Sequence, residues 1–353
     1  MSIFSHPDFD DHEGVYSFSD AASGLRCFVA VHNTNRGPAS GGTRFWQYAN
    51  DAEALTDVLR LSRAMSYKNA MAEIPLGGGK GVIMKPPNFG QDDFDREALF
   101  TAYGRAVEKV GGQYITAEDV GVSPDDMKII KTQTDYVAGL DDGVAASGDP
   151  SPHTAEGIFR GLGVAVEHKL GVEGFGGLIV AVQGLGHVGY SLAEKLYKSG
   201  ARLIVADINP EATAKAQNEL KATIVDVAEI HAQEVDIYAP CALGGAINAD
   251  SLKDISAYIV GGAANNQLKT PEMGEALRAR DILYCPDYVL NAGGIINVAA
   301  EVSGTYDYNW VDGKLDNIKA SLKEIFERSD KADKPTNEIA DIMARERLIS
   351  NPS

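Results

Sequence analysis

Hydrophobic and polar positions along the chain fall into two periods, and the period changes mark the elements. LRCFVAVHN (25–33) is apolar and β-branched and predicts a strand, followed by RGPASGGTR as a loop. DAEALTDVLRLSRAMSYKNAMA (51–72) switches to a helical period. Leu55, Val58, Leu59, Ser62 and then Met65 or Ser66 recur on one face, Asp51 stands as its cap, and Lys68 lies near its C-terminal end. GVIM predicts a short buried strand closed by Pro86 and Pro87. Residues 92–112 predict a helix with an acidic start and a Gly111-Gly112 end. YITAEDVG reads as a strand entering a turn, and SPDDMKIIKTQTDYVAG as a short helix with Pro124 near its start.

Small and polar residues then take over in DDGVAASGDPSPHTAEG (141–157), which places a domain boundary there. TAEGIFRGLGVAVEHKLG (154–171) predicts a helix entering the second domain. Beyond it strands and helices alternate. GLIVAVQG, ARLIVADIN, VDIYAPCA and AYIVGGAANN are strands; HVGYSLAEKLYKSG, EATAKAQNEL and INADSLKDI are helices. That alternation implies a mostly parallel sheet covered on both faces. The tail predicts two helices, about 315–331 and 336–348. Trp46 is expected in a domain core, and Trp310 in a polar stretch before the tail helices.

Composition narrows the function classes. A chain of 353 residues suits two domains, and 44% apolar with 23% charged residues is ordinary for a folded globular protein. A net charge of -18 repels nucleic acid and anionic membranes, so neither is an expected partner. The start, MSIFSHPDFDDHEG, has no basic leader and no apolar run, and no stretch is apolar for the roughly 18 residues that span a bilayer. A cytoplasmic location is expected. Cys27, Cys241 and Cys285 are distant from one another and lack metal-ligand spacing, so no disulfide framework and no metal site is expected.

Two glycine-rich segments carry the candidate chemistry. GLGHVG (184–189) follows a strand and opens a helix, the context a dinucleotide loop requires. Gly184 permits the tight turn, Gly186 removes a Cβ where pyrophosphate approaches, and Gly189 lets the helix pack closely; Leu185, His187 and Val188 complete the loop. Asp207 ends the next strand, where a carboxylate suits a ribose 2′-hydroxyl and repels a 2′-phosphate, favouring NAD over NADP. Ala239 and Cys241 on the later strand, with Ala242 in CALGG, are further cofactor candidates near the nicotinamide ribose.

AEIPLGGGKGVI (72–83) resembles a phosphate loop only superficially. Its glycines are misplaced for GxxxxGK, and Gly81 stands where a metal-binding hydroxyl is needed. The alternative is a tight glycine turn that delivers Lys80 to a reacting carbon. Lys68, Lys80 and Asp119 then form a candidate set in which one lysine pairs with a carboxylate, the other serves as base, and the aspartate exchanges a proton with an amine. An isolated lysine as a solvated charge, and an isolated aspartate as a turn cap, are the plain alternatives.

GPASGGTRFW (37–46), MSYKNAMAEIPLGGGKGVI (65–83), YITAEDVG (114–121), GLGHVG, GAANNQL (262–268) and PDYVLNAGGIIN (286–297) together resemble the Glu/Leu/Phe/Val dehydrogenases, within them the leucine and phenylalanine enzymes. The resemblance runs from about residue 25 to the C-terminus. It implies a two-domain α/β fold: an N-terminal α/β substrate domain and a doubly wound Rossmann NAD-binding domain separated by a cleft. The expected boundaries are a substrate and oligomerisation domain at 1–145, an NAD domain at 146–330, and a C-terminal helix, 331–353, packing back on the first domain.

The resemblance further implies reversible oxidative deamination of an L-amino acid to a 2-oxo acid and ammonium, with NAD as cofactor, in a homo-oligomer. Lys80 and Asp119 are the implied catalytic residues. Lys68 is the implied ligand of the α-carboxylate, Gly41 and Gly42 line the substrate, Asn265 sits beside nicotinamide and substrate, and Asn291 lies near the cleft. Ser40 stands where glutamate-specific relatives carry a lysine and leucine enzymes a leucine. Ala117, Ile295 and Val298 suggest an apolar pocket, so branched-chain substrates rank slightly above phenylalanine, and glutamate is not expected because a partner for its carboxylate is missing. The rivals are a 2-hydroxy acid dehydrogenase, which needs a histidine base from among His153, His168, His187 and His231, and a non-catalytic NAD or amino-acid binding protein.

Overall fold

The computed structural model describes residues 3–140, 149–302 and 306–349. Its strands are β1 (Gly14–Asp20), β2 (Leu25–Asn33), β3 (Ala39–Trp46), β4 (Gly77–Met84), β5 (Tyr114–Glu118), β6 (Ile179–Gln183), β7 (Arg202–Ala206), β8 (Thr223–Ile224), β9 (Ile237–Pro240), β10 (Ile259–Val260) and β11 (Leu283–Tyr284). Its helices are α1 (Asp51–Met71), α2 (Arg96–Lys109), α3 (Pro124–Lys131), α4 (Ser151–Leu170), α5 (His187–Lys198), α6 (Pro210–Leu220), α7 (Ser251–Asp254), α8 (Glu272–Arg278), α9 (Asp287–Leu290), α10 (Gly293–Val302), α11 (Tyr308–Ala332) and α12 (Thr336–Ile349).

Among the described residues, 3–140, 298–302, 306–307 and 344–349 form one compact unit, and 149–297 with 308–343 form a second. The boundary expected at 145/146 lies outside the described residues. The tail departs from its expected place: residues 331–343 cluster with the second unit, and only 344–349 with the first. Both α10 and α12 therefore pass from one unit to the other along a continuous helix.

In the first unit five strands lie in the order β1-β2-β4-β3-β5. β1, β2 and β4 pair antiparallel, while β3 runs parallel to both β4 and β5. Period two along β2 sorts its side chains. Cys27, Val29 and Val31 pack with Leu99, Phe100, Tyr103 and Val107 of α2 and Met127 and Ile130 of α3, whereas Ala30 joins Val58 and Leu59 of α1. Burying a side chain such as Phe100 is worth about 1.5–3 kcal/mol, so these two layers hold the sheet between them. α1 is capped by Asn50, whose side chain accepts the Glu53 N–H, and Asp51 serves instead as a first-turn anion. His32 Nδ1 lies 2.7 Å from Ser66 Oγ, which ties α1 to the sheet; the His12 ring meets His32 edge to face at 4.8 Å, and its Nε2 lies 3.1 Å from Leu59 O of α1.

Two sequence expectations fail here for one reason. ASGGTRFW is the strand β3 rather than a loop, and GGGKGVIM is wholly strand β4 rather than a turn followed by GVIM. Every residue of β4 is buried. Glycine runs leave no side chains to show period two, yet a Cβ on Gly78 would lie 2.0 Å from the Ser66 nitrogen, and one on Gly81 2.1 Å from the Tyr103 hydroxyl. The glycines are required by close packing. Trp46 is also corrected: it ends β3 at 48% exposure, outside the core. Trp310 lies inside α11, which begins at Tyr308.

In the second unit six parallel strands lie in the order β11-β10-β9-β6-β7-β8. The chain steps outward from β6 to β8, returns, and steps outward the other way from β9 to β11, which is the doubly wound pattern with its switch point between β6 and β9. Ala181, Tyr238, Val260 and Tyr284 of the strands form a core with Ile247, Ile255 and Leu277. α11 is held to α4 by Arg160, which reaches Asp312 at 2.6 Å and Asp316 at 3.2 Å.

Candidate active site

In the first unit Lys80 is the long side chain in a strand otherwise made of glycine and apolar residues. It is 5% exposed, and its Nζ donates to Asp119 Oδ2 at 2.6 Å. Asp119 begins the turn after β5, so the middle of one strand and the end of another, 39 residues apart in sequence, supply one ion pair. Burial lowers the affinity of the Lys80 amine for its proton, and Asp119 only partly opposes this. Burial would raise the Asp119 carboxyl, but the Lys80 ammonium and then Arg44 outweigh it and hold Asp119 below the usual carboxylate range. The pair thus combines an anchored carboxylate with an amine whose proton affinity burial lowers.

β3 supplies the neighbouring wall. Gly42 pairs with Ala117 of β5, and a Cβ on Gly42 would meet Glu118 O at 2.4 Å and Asp119 Cβ at 2.8 Å; only glycine lets the Asp119 turn sit so close. Gly41 accepts a hydrogen bond from the Tyr114 hydroxyl at 2.6 Å. Ser40 is fully covered, and its hydroxyl has no hydrogen-bond partner. Ala117 is half-buried. Lys68 lies in the last turn of α1, a turn braced by the end of α12: Arg345 Nε donates to the Tyr67 hydroxyl at 2.7 Å and Arg347 Nη1 to Met71 O at 3.1 Å.

Three residues of this cluster escaped the sequence reading. Arg44 Nε donates to Asp119 Oδ2 at 3.3 Å and its Nη1 to Asp57 Oδ2 at 3.0 Å, and the Tyr48 hydroxyl donates to the same Asp57 oxygen at 2.6 Å. The signal was available: if ASGGTRFW is a strand, period two places Ser40, Gly42 and Arg44 on one face.

In the second unit the loop after β6 lies at the switch point. Gly184 has φ +99°, a left-handed conformation that favours glycine, and a Cβ there would meet Ala242 at 2.9 Å. Gly189 packs so closely that a Cβ would lie 2.1 Å from Gly184 O. Gly186 has nothing within 4 Å of a built Cβ, and as the first residue before α5 it leaves the helix N-terminus without a side-chain cap. A turn, an open approach and uncapped N–H donors fit a dinucleotide pyrophosphate. Leu185 is buried, Val188 half-buried, and His187 86% exposed in its side chain. Asp207 Oδ2 accepts the Leu185 N–H at 2.6 Å and its Oδ1 the Asn209 N–H at 2.7 Å.

The remaining candidates divide. Ala239 is fully buried in β9, so its side chain is core and not part of an open site. Cys241 accepts the Ala263 N–H at 3.4 Å, and burial pushes its thiol up to about 12, which suits packing and no nucleophilic role. Ala242 is exposed beside Gly184. Asn291 Nδ2 donates to Asn265 Oδ1 at 2.8 Å and to Ala263 O at 3.1 Å, which orients the exposed Asn265 amide. Ile295 and Val298 are half-buried on α10, the first in the second unit and the second in the first, with Ala117. Of the histidines considered as bases, His168 pairs with Asp330 at 3.2 Å and His187 is at the exposed start of α5; His153 lies on α4 and His231 in a short helical turn. No group of three or more His, Cys, Asp or Glu able to hold a metal occurs among the described residues.

Known proteins match both units. Residues 12–136 match the family described as Glu/Leu/Phe/Val dehydrogenase, dimerisation domain, and residues 205–351 match Glutamate/Leucine/Phenylalanine/Valine dehydrogenase. The leucine dehydrogenase of Geobacillus stearothermophilus is 44% identical over 348 residues, 99% of this chain and 94% of that protein. The valine dehydrogenase of Streptomyces virginiae is 41% identical, covering 97% and 95%. The crystal structure of L-tryptophan dehydrogenase from Nostoc punctiforme superposes with a TM-score of 0.85 at 39% identity, covering 96% of each chain. Two matched family segments, relatives alike over nearly their whole length, and a Lys–Asp pair with a dinucleotide loop lead to one conclusion: the chain belongs to the Glu/Leu/Phe/Val dehydrogenases.

Proposed function

We propose that this protein catalyses the NAD-dependent, reversible oxidative deamination of a branched-chain L-amino acid to its 2-oxo acid and ammonium. The observation that carries the chemistry is the buried Lys80–Asp119 pair, an amine made easier to deprotonate against a carboxylate held ionised. Bound NAD supplies the acceptor for the hydride that leaves Cα. Gly184, Gly186 and Gly189, with Asp207, would hold it. Lys68 holds the substrate α-carboxylate, Gly41 and Gly42 let the substrate lie against backbone, and Asn265 donates through its amide. Lys80 takes a proton from the water that attacks the imine carbon, and Asp119 and Lys80 then move protons as the carbinolamine releases ammonia. Ala117, Ile295 and Val298 contact the substrate side chain. They carry no group to pair with a second carboxylate, so glutamate is rejected.

The leucine and valine dehydrogenases among the relatives support a branched-chain substrate. A second reading, an aromatic substrate, is favoured by the small Ser40 and by the tryptophan dehydrogenase among the relatives. A homo-oligomer is part of the proposal, supported by the family description of residues 12–136 as a dimerisation domain. The charge of -18 argues against nucleic acid and anionic membrane as partners, and no described helix is long and apolar enough to cross a membrane. The cytoplasmic location expected from the sequence is part of the same proposal.

NADH production is measured with leucine, valine, isoleucine, phenylalanine, tryptophan and glutamate. Branched-chain substrates are expected to lead and glutamate to give nothing; no turnover with any of them, while NAD binds, sinks the proposal. Lys80→Ala is expected to lower kcat by about a hundredfold or more while NAD affinity is kept.

A further inference from the structure

The reading of Lys80 and Asp119 as the proton-transfer pair leaves Arg44 unexplained, and the inference here rests on that reading. Arg44 and Lys80 converge on the same oxygen, Asp119 Oδ2, at 3.3 and 2.6 Å. Behind it, Asp57 Oδ2 receives Arg44 Nη1 at 3.0 Å and the Tyr48 hydroxyl at 2.6 Å. We propose that Arg44 is a positioning residue for the proton-transfer pair: its guanidinium, anchored by Asp57 and Tyr48, fixes the Asp119 carboxylate against Lys80 and sets how readily that pair takes a proton.

Charge and shape both support this role. Lys80 and Arg44 alternate with Asp119 and Asp57, so the four ionised groups balance. The Arg44 side chain is 26% exposed, which is dry enough for its charge to be felt and too wet for a core brace. A guanidinium bridges two carboxylates through separate nitrogens of one rigid plane, and a lysine cannot. The placement follows from sequence. Arg44 is two residues beyond Gly42 on β3, and the glycine admits the Asp119 turn to the same face.

The titratable groups around the pair come from every neighbouring element. They are Arg44 from β3, Tyr48 from the β3–α1 connection, Asp57 from α1, and Tyr114 from β5. Asp57 and Lys68 are eleven residues apart on α1, close to three full turns, so they share a helix face. Arg44 lowers the proton affinity of both Lys80 and Asp119, and Asp57 raises that of Lys80. Removing the cation and removing its anchor therefore push in opposite directions.

The test is the pH profile of kcat/KM with the best amino acid from the screen, alongside melting temperature and the KM for NAD. Arg44→Met is expected to move the limbs set by the pair to higher pH by about one unit. It is also expected to lower kcat by about tenfold or more with the KM for NAD unchanged. Asp57→Asn is expected to move the limbs to lower pH, and it decides the question alone if Arg44→Met fails to fold. Limbs that stay at their wild-type positions in the folded variants, with only a lower melting temperature, overturn the proposal and make Arg44 a structural brace. Wild-type turnover in Lys80→Ala overturns instead the reading on which it rests, so the two failures are separable.

Discussion

Two glycine-rich segments of similar composition, GGGKG at 77–81 and GLGHVG at 184–189, use glycine for different physical reasons. In the first the residues are extended strand inside a five-stranded sheet, and the glycines exist because helix α1 and the Tyr103 and Tyr114 side chains press against backbone. In the second Gly184 makes a left-handed turn, and the Cβ position of Gly186 faces open space. One segment is built by exclusion of side chains from a packed interior, the other by a turn that leaves open space at its tip. A glycine run by itself therefore says that something comes close, and not what.

The sharpest way to break this comparison is a pair of alanine substitutions. Gly78→Ala places a methyl 2.0 Å from the Ser66 backbone nitrogen. It is expected to destabilise by about 3 kcal/mol or more, read as a fall in the urea midpoint. Gly186→Ala meets nothing within 4 Å at φ -65°. Its stability is expected to stay within about 0.5 kcal/mol of wild type while the KM for NAD rises. A wild-type midpoint for Gly78→Ala, or an unfolded Gly186→Ala, would abolish the distinction.

A second measurement sharpens it through pH. Burial first, then the neighbouring His12, lowers His32 from 6.5 to about 4. The unfolded chain takes up that proton near pH 6.5, whereas the folded first unit refuses it until about pH 4. Stability is therefore complete above pH 6.5 and declines as pH falls toward 4, by about 3 kcal/mol in all. His32→Gln is expected to flatten this slope in melts between pH 7 and pH 4; an unchanged slope assigns it to other groups. The smallest effect is expected at Ser40. Its hydroxyl is buried without a partner, so Ser40→Ala is expected to leave stability unchanged or raise it by about 1 kcal/mol. A loss of more than that in urea titrations would reveal a partner for the hydroxyl.

What the sequence disclosed follows the same division. GLGHVG was legible because its mechanism is local: strand, turn, helix and the Asp at the end of the next strand lie within 30 residues. The parallel order around it was legible from alternating periods. Lys80 and Asp119 were legible as candidates through motif resemblance, but their pairing is a product of β4 and β5 sharing a sheet with β3 between them. β3 and the first half of β4 were misread because Gly41, Gly42 and Gly77–Gly79 carry no periodic side chains. That misreading hid Arg44 in a supposed loop, and with it Asp57 and Tyr48. The passage of α12 between units was invisible because a helical period continues unbroken through it.

Asp207 carries a consequence for the cofactor. Both of its oxygens are already engaged by backbone, one by the Leu185 N–H inside the glycine loop and one by the Asn209 N–H. A substitution that removes the carboxylate to admit a 2′-phosphate also unties the glycine loop proposed to receive the pyrophosphate. On the proposed reading of Asp207 as the ribose partner, preference for NAD is wired into the scaffold, and a path in sequence space toward NADP must rebuild the loop's support before the change of charge can be useful.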